Sequence, residues 1–147
     1  MFSRIRKFLS EYNRIKYLAY HDMLTGLLNR NWLYENKTKI STKYVYFIDI
    51  NDLKDYNDSR GHTYGDLHIV NVVTSIKMRI SNNKDNILIR YAGDEFILFS
   101  NIKNLITGNT LYSVGSSMIF NKDIEHSIRI ADNEMIKSKK LYKKNGN

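Results

Sequence analysis

The 147-residue chain has no cysteine and no proline. Without cysteine there is no disulfide scaffold, no thiolate zinc site and no cysteine nucleophile, a usage that fits a reducing compartment. No apolar run approaches the roughly 18 to 20 residues that a spanning helix needs, and the basic N-terminus lacks the apolar stretch of a secretory signal. Internal repeats, low-complexity tracts and proline-rich linkers are also missing. These absences lead us to expect one ordinary, soluble domain of the cytoplasm. What is present is 42% hydrophobic and 26% charged residues. That balance suits a packed core and excludes wholesale disorder.

Acidic residues are scarce at both ends, and the net charge of +8 comes from there. Residues 1–20 hold Arg4, Arg6, Lys7, Arg14 and Lys16 against Glu11 alone, and residues 135–147 hold Lys137, Lys139, Lys140, Lys143 and Lys144 with no acid. The middle carries no basic excess. A nucleic-acid binder would spread a basic stripe over its folded face, so the distribution argues against DNA or RNA as a partner. Two uses of the ends stay open: solvated helical termini, or C-terminal lysines facing a polyphosphate while the N-terminal set touches acidic lipid or a regulator.

Apolar residues over 2–19 recur at helical spacing, with basic residues opposite, which predicts an amphipathic N-terminal helix in residues 1–20 ahead of a domain in 21–147. Ile5, Phe8, Tyr12, Ile15 and Ala19 also fit about two heptads. The helix either folds onto its own domain or helps pair two protomers. Further along, Asp22–Arg30 reads as a capped turn leading into a helix that runs to about residue 38. Residues 43–50 read as a central buried strand and 53–57 as a short helix. Residues 59–65 read as a loop, after which Asp66 caps a long helix to residue 80. Strands over 87–91 and 96–100 flank a glycine-containing hairpin turn, 111–119 adds another strand, and 124–144 a closing basic helix. The fold class is therefore α/β in the α+β sense: a mixed, partly antiparallel central sheet flanked by helices.

Asp49 ends the central strand, and Asp94 and Glu95 lie at the hairpin expected beside it. Acids at the ends of adjacent strands converge, and converging carboxylates suit a hard cation such as Mg²⁺ and its bound phosphates. A single turn acid would read as solvated. These three, however, are flanked by Val-Tyr-Phe-Ile before Asp49 and Phe-Ile-Leu-Phe after Glu95, and burying several carboxylates without a cation is costly.

Tyr91-Ala-Gly-Asp-Glu-Phe96 resembles the signature turn of the GGDEF domain, the diguanylate cyclase family, with Ala92 in place of the first glycine. Four more segments resemble that family in the same order. They are Asp22-Met-Leu-Thr-Gly-Leu-Leu-Asn-Arg30; Asp49-Ile-Asn-Asp-Leu-Lys-Asp-Tyr-Asn57 with Gly61-His62 and Gly65-Asp66; Ser113-Val-Gly115; and Ala131-Asp132 with Lys139. An ordered set of this kind is far more specific than one four-letter turn.

The resemblance implies a nucleotidyl-cyclase or polymerase-palm type of sheet and the condensation of two GTP into cyclic di-GMP with loss of pyrophosphate. It implies two metal ions, Mg²⁺ or Mn²⁺, held by Asp49, the Ile50 carbonyl, Asp94 and Glu95, with Asp94 or Glu95 helping to deprotonate the 3′-hydroxyl that attacks the α-phosphate. Asn57 and Asp66 resemble the guanine readers, and Asp66 can also serve as a helix cap. His62 shapes the loop or touches substrate, and Gly93 lets the hairpin backbone approach the phosphates. Lys54, Lys139 and Lys143 resemble phosphate-contacting positions, Lys143 standing where the family usually has arginine. Each site holds one GTP, so the resemblance implies a homodimer. Two alternatives remain: a silent nucleotide-binding module, and a cyclase making another cyclic dinucleotide.

Three departures stand out. The family's product-inhibition motif R-x-x-D is replaced by Asn83-Lys84-Asp85-Asn86, so feedback through that site is not expected. Only 16 residues separate Phe96 from Ser113, where the family usually has a further helix and hairpin. Tyr142 stands where the family has glycine.

Overall fold

The computed structural model describes residues 2–145. Helix α1 spans Phe2–Tyr20, strand β1 Leu28–Asn29, and helix α2 Arg30–Asn36, continued by a 3₁₀ turn over Lys37–Lys39. Strand β2 spans Tyr44–Ile50, helices α3 and α4 span Leu53–Arg60 and His62–Ile80, strands β3, β4 and β5 span Ile87–Arg90, Glu95–Ser100 and Tyr112–Met118, and α5 closes the chain over Ile124–Lys144. The five strands form one sheet in the order β1-β3-β4-β2-β5. The short β1 runs parallel to β3, and the other neighbours are antiparallel.

Strand β2 lies between β4 and β5 because its residues are buried on both faces. Successive side chains of a strand point to opposite faces, and that parity sorts the core into two layers. Tyr46, Ile48 and Ile50 pack with Phe96 and Leu98 of β4 and with Ile69, Val72, Val73 and Ile76 of α4. Val45 and Phe47 pack with Ile97 and Phe99 of β4, Leu33 of α2, and Ala131 and Met135 of α5. The same parity sends Asp49 and Glu95 toward the α5 face. Gly115, opposite Phe47 in the register, faces α5 as well. A Cβ there would lie 2.1 Å from both the Ala131 carbonyl oxygen and the Met135 nitrogen, so the missing side chain sets how closely α5 lies on the sheet.

Several expectations are corrected. Residues 59–65 are not a loop, because α3 runs to Arg60 and α4 starts at His62. Gly61 alone breaks the helix: its φ of 86° is left-handed, and its N–H closes α3 on the Asn57 carbonyl. Asp66 therefore lies inside α4 and is no cap, the N-cap position being held by Gly61. Strand β1 falls within the segment that reads as a turn, since two residues are too short to show periodicity. Helix α1 does not fold onto its own domain: Ile5, Phe8, Tyr12 and Ile15 are all exposed, Phe8 to 70%. Among the described residues, its hydrogen bonds to the rest of the domain lie near its C-terminal end, where the Tyr20 hydroxyl donates to Glu35 and the Asn29 amide donates to the Ala19 carbonyl at 2.9 Å.

The shortened stretch between β4 and β5 forms no helix or strand. It is held by side chains instead. The Tyr46 hydroxyl donates to the Ile102 carbonyl at 2.6 Å and accepts from the Leu105 N–H at 3.1 Å, and Ile106 is buried in the core. No described helix is long and apolar enough to cross a membrane.

Candidate active site

Asp49 and Glu95 are direct cross-strand partners in the β2–β4 ladder, with Ser113 opposite Asp49 on the other side. Directly opposed residues share a face, so the two carboxylates stand side by side. Asp94, in the turn, is tied to the end of β2 by its carbonyl, which accepts from the Ile50 N–H at 3.0 Å. Ile50 thus contributes its N–H to the hairpin contact.

Asp49 is buried at 7% exposure, and Lys139 of α5 forms an ion pair with it. Burial pushes the Asp49 carboxyl above its ordinary range; the lysine pulls the other way, and Asp94 and Asp132 add to the rise. Glu95 is raised by the same causes, burial first, then Asp94, Asp49 and Asp132. Asp132 thus belongs to the acidic group, although the sequence marks it only as part of a family motif. Its spacing of seven from Lys139, about two helical turns, is the signal that both share a face of α5.

Among the described residues, no three acids or histidines are gathered as a ready ligand set for a metal. The donor chemistry still fits a hard cation: the oxygens are carboxylates, and an ammonium group already sits on Asp49 as a stand-in. Asp49, Glu95 and Asp94 are the residues that would hold a divalent ion.

A second group lies across the α3–α4 corner. Gly65 of α4 is buried, and a Cβ on it would come within 1.9 Å of the Asn57 Oδ1. The absence of that Cβ is what lets the Asn57 amide lie against the first turns of α4, with the exposed Asp66 next along. Lys54 and His62 are exposed on the same two helices. No described hydrogen bond joins this group to the acids, which face the opposite layer, so a ligand touching both would span the end of the sheet. Lys143 is exposed one turn beyond Lys139.

The signature hairpin is braced from behind. The Arg90 guanidinium donates to the Gly93 carbonyl at 2.7 Å through Nη2 and pairs with Asp22 at 2.9 Å through Nη1. Asp22 also accepts from the Thr25 N–H and hydroxyl. Burial alone would raise the Asp22 carboxyl, but the Thr25 and Arg90 contacts outweigh it and hold the group below its ordinary value. Ala92 is not among the residues with positive φ, so alanine fits the place of the first glycine without strain. An open cleft of about 430 Å³ beside this brace is lined by Asp22, Arg30, Arg90 and Gly93 and includes none of Asp49, Glu95, Asn57 or Asp66.

Two further residues have no role assigned from sequence. The buried Asn51 donates through Nδ2 to the Asn109 carbonyl at 3.2 Å and accepts from the Ser113 hydroxyl at 2.8 Å, pinning the shortened stretch beside the site. The Tyr142 hydroxyl donates to Asp52 at 2.7 Å, which ties the end of α5 to the turn after β2. Asp52 takes the left-handed conformation there, with φ 56°.

Residues 19–111 match the family described as "Diguanylate cyclase, GGDEF domain". The chain is 33% identical over 90 residues to the diguanylate cyclase DgcP of Escherichia coli, covering 56% of this chain and 26% of that protein. It is 31% identical over 93 residues to the cyclic di-GMP phosphodiesterase PdeR of the same organism, covering 59% and 14%. The chain thus spans about a quarter or less of the length of these relatives. The fold is similar to the coiled-coil and GGDEF domain of DgcB from Caulobacter crescentus in complex with c-di-GMP, with a TM-score of 0.75 at 19% identity over 94% of this chain and 90% of that one.

Proposed function

The chain belongs to the diguanylate cyclase, GGDEF-domain family, and we propose that it condenses two GTP molecules into cyclic di-GMP with release of pyrophosphate. The observation that carries this reading is the side-by-side placement of Asp49 and Glu95, with Asp94 in the adjoining turn and Lys139 within reach. A divalent ion, Mg²⁺ or Mn²⁺, would supply charge neutralisation for the triphosphate and activation of the attacking hydroxyl. Asp49, Asp94 and Glu95 would hold that ion. Asp94 or Glu95 accepts the 3′-hydroxyl proton.

Asn57 and Asp66 read the guanine edge. A carboxylate accepts from the base N1–H and N2–H₂, and an amide makes the complementary contact. Adenine would leave these groups unpaired, which is the strong form of discrimination. Lys139, Lys143 and Lys54 contact phosphate oxygens, and Gly93 leaves the hairpin backbone open to the nucleotide. His62, at the start of α4, touches the same ligand.

One subunit offers one GTP, so two subunits must face each other for each 3′-hydroxyl to reach the other α-phosphate. The exposed heptad stripe of α1, Ile5, Phe8, Tyr12 and Ile15, supports a homodimer, since apolar side chains at this spacing gain by burial against a second copy. The basic face of the same helix leaves room for a regulator or an acidic membrane surface.

A second reading is a nucleotide-binding module without turnover. It is favoured by one observation: Lys139 already neutralises Asp49. The two readings separate when purified protein is incubated with Mg²⁺ and each nucleoside triphosphate, followed by mass analysis of products. Cyclic di-GMP from GTP alone, absent with Asp94→Asn, supports the cyclase. GTP binding without product supports the silent module.

A further inference from the structure

We propose that Lys139 is a built-in counter-cation of Asp49 that keeps a divalent ion from binding on its own, so that metal and nucleotide enter the site together. The inference rests on the nucleotide-and-metal reading given above and deepens it.

The Asp49 side chain is 10% exposed and that of Lys139 28%, so their ion pair lies largely out of water. A carboxylate in such surroundings depends on a positive partner. The surroundings make the need greater, because Glu95 stands opposite Asp49 in the ladder and the charges of Asp94 and Asp132 also act against that of Asp49. Among the described residues, Lys139 is the one basic side chain in a salt bridge with any of these four acids. It meets Asp49 at Oδ1, an oxygen that a metal would also claim.

A divalent ion arriving alone must break that pair. The backbone of Lys139 is held in place, because α5 is seated on β5 at Gly115 and Lys139 follows Met135 by one turn. The freed ammonium stays tethered within a side chain's reach of Asp49 and competes with the ion for its oxygens. A triphosphate changes the balance. It offers the ammonium phosphate oxygens, so Lys139 leaves Asp49 for a partner at least as good. Nucleotide therefore raises the metal affinity, and by reciprocity metal raises the nucleotide affinity.

The test titrates Mn²⁺ at pH 8 into wild type, Lys139→Met and Lys139→Arg, first alone and then with a saturating non-hydrolysable GTP analogue, reading free Mn²⁺ by electron paramagnetic resonance. Mn²⁺ alone should bind Lys139→Met on the order of tenfold more tightly than wild type, within the usual range of coupling between sites. Lys139→Arg, which keeps the charge, should stay near wild type. The analogue should tighten Mn²⁺ binding more in wild type than in Lys139→Met. Adding Asp49→Asn to Lys139→Met should remove the gain. Should Lys139→Met fail to fold, Lys139→Gln, which keeps a hydrogen-bond donor to Asp49, gives the same readout.

Equal Mn²⁺ affinities across the variants, or a gain that survives Asp49→Asn, would overturn the inference while leaving the functional reading intact. Failure of wild type to bind the Mn²⁺–nucleotide complex at all would overturn both.

Discussion

Replacing Gly115 by alanine perturbs the link between fold and site most directly. The added Cβ would meet three backbone atoms of α5: the Ala131 oxygen and Met135 nitrogen at 2.1 Å and the Glu134 carbonyl carbon at 2.7 Å. Backbone cannot rotate away. Restoring the 3.4 Å of ordinary Cβ contact requires α5 to retreat from β5 by about 1.3 Å. Overpacking of this kind costs about 1–3 kcal/mol, which lowers the melting temperature of a chain this size by roughly 2–12 °C. The same movement carries Lys139 away from Asp49, so GTP affinity should fall along with stability. Thermal melts and nucleotide titrations of Gly115→Ala against wild type measure both. A variant that melts within about 1 °C of wild type and binds GTP equally well would refute the claim that β5 sets the position of α5.

Two other glycines should behave differently, and both contrasts are measurable. Gly65→Ala collides only with the tip of the Asn57 side chain, which can swing away. Its melting temperature should hold while the preference for GTP over ATP shrinks in competition binding, and an unchanged preference would remove Asn57 from base reading. A Cβ added at Gly93 would have nothing within 4 Å of it, and the residue has no positive φ. Gly93→Ala should fold like wild type yet bind GTP more weakly, and full retention of binding would show that the hairpin backbone does not approach the nucleotide. Asp22 is held below its ordinary value of 3.8, so its contribution to stability is complete well above that pH and is lost as pH falls through its folded value. Urea denaturation should show a gap between wild type and Asp22→Asn that is constant above about pH 5 and closes in acid; a gap that persists in acid contradicts the Arg90–Asp22 brace. Phe8→Ser with Ile15→Ser should shift sedimentation toward monomer and lower product formation per subunit at low protein concentration. An unchanged assembly state would exclude α1 as the pairing surface.

The sheet is legible in the sequence because β2, β4 and α4 carry long apolar runs whose period separates strand from helix. The hairpin acids are legible because the turn between two apolar strands has few lengths available to it. What stays hidden is contact across layers. Nothing in the local pattern indicates that Tyr142 reaches Asp52, that Asn51 pins the shortened stretch, or that Lys139 lies on Asp49, since each partner is about 60 to 90 positions away. The 59–65 segment misleads for a different reason. Two glycines signal a break, yet only Gly61 takes a left-handed φ, while Gly65 serves as space for Asn57. For α1, amphipathic spacing predicts a buried face without naming what buries it.

The most direct test of the proposed chemistry is a crystal structure of the full chain with Mn²⁺ and a non-hydrolysable GTP analogue, the ions located by anomalous scattering. Manganese should lie on the carboxylates of Asp49 and Glu95, with the guanine against Asn57 and Asp66. A nucleotide seated elsewhere, with Asp49 and Glu95 free of metal, would contradict the proposal.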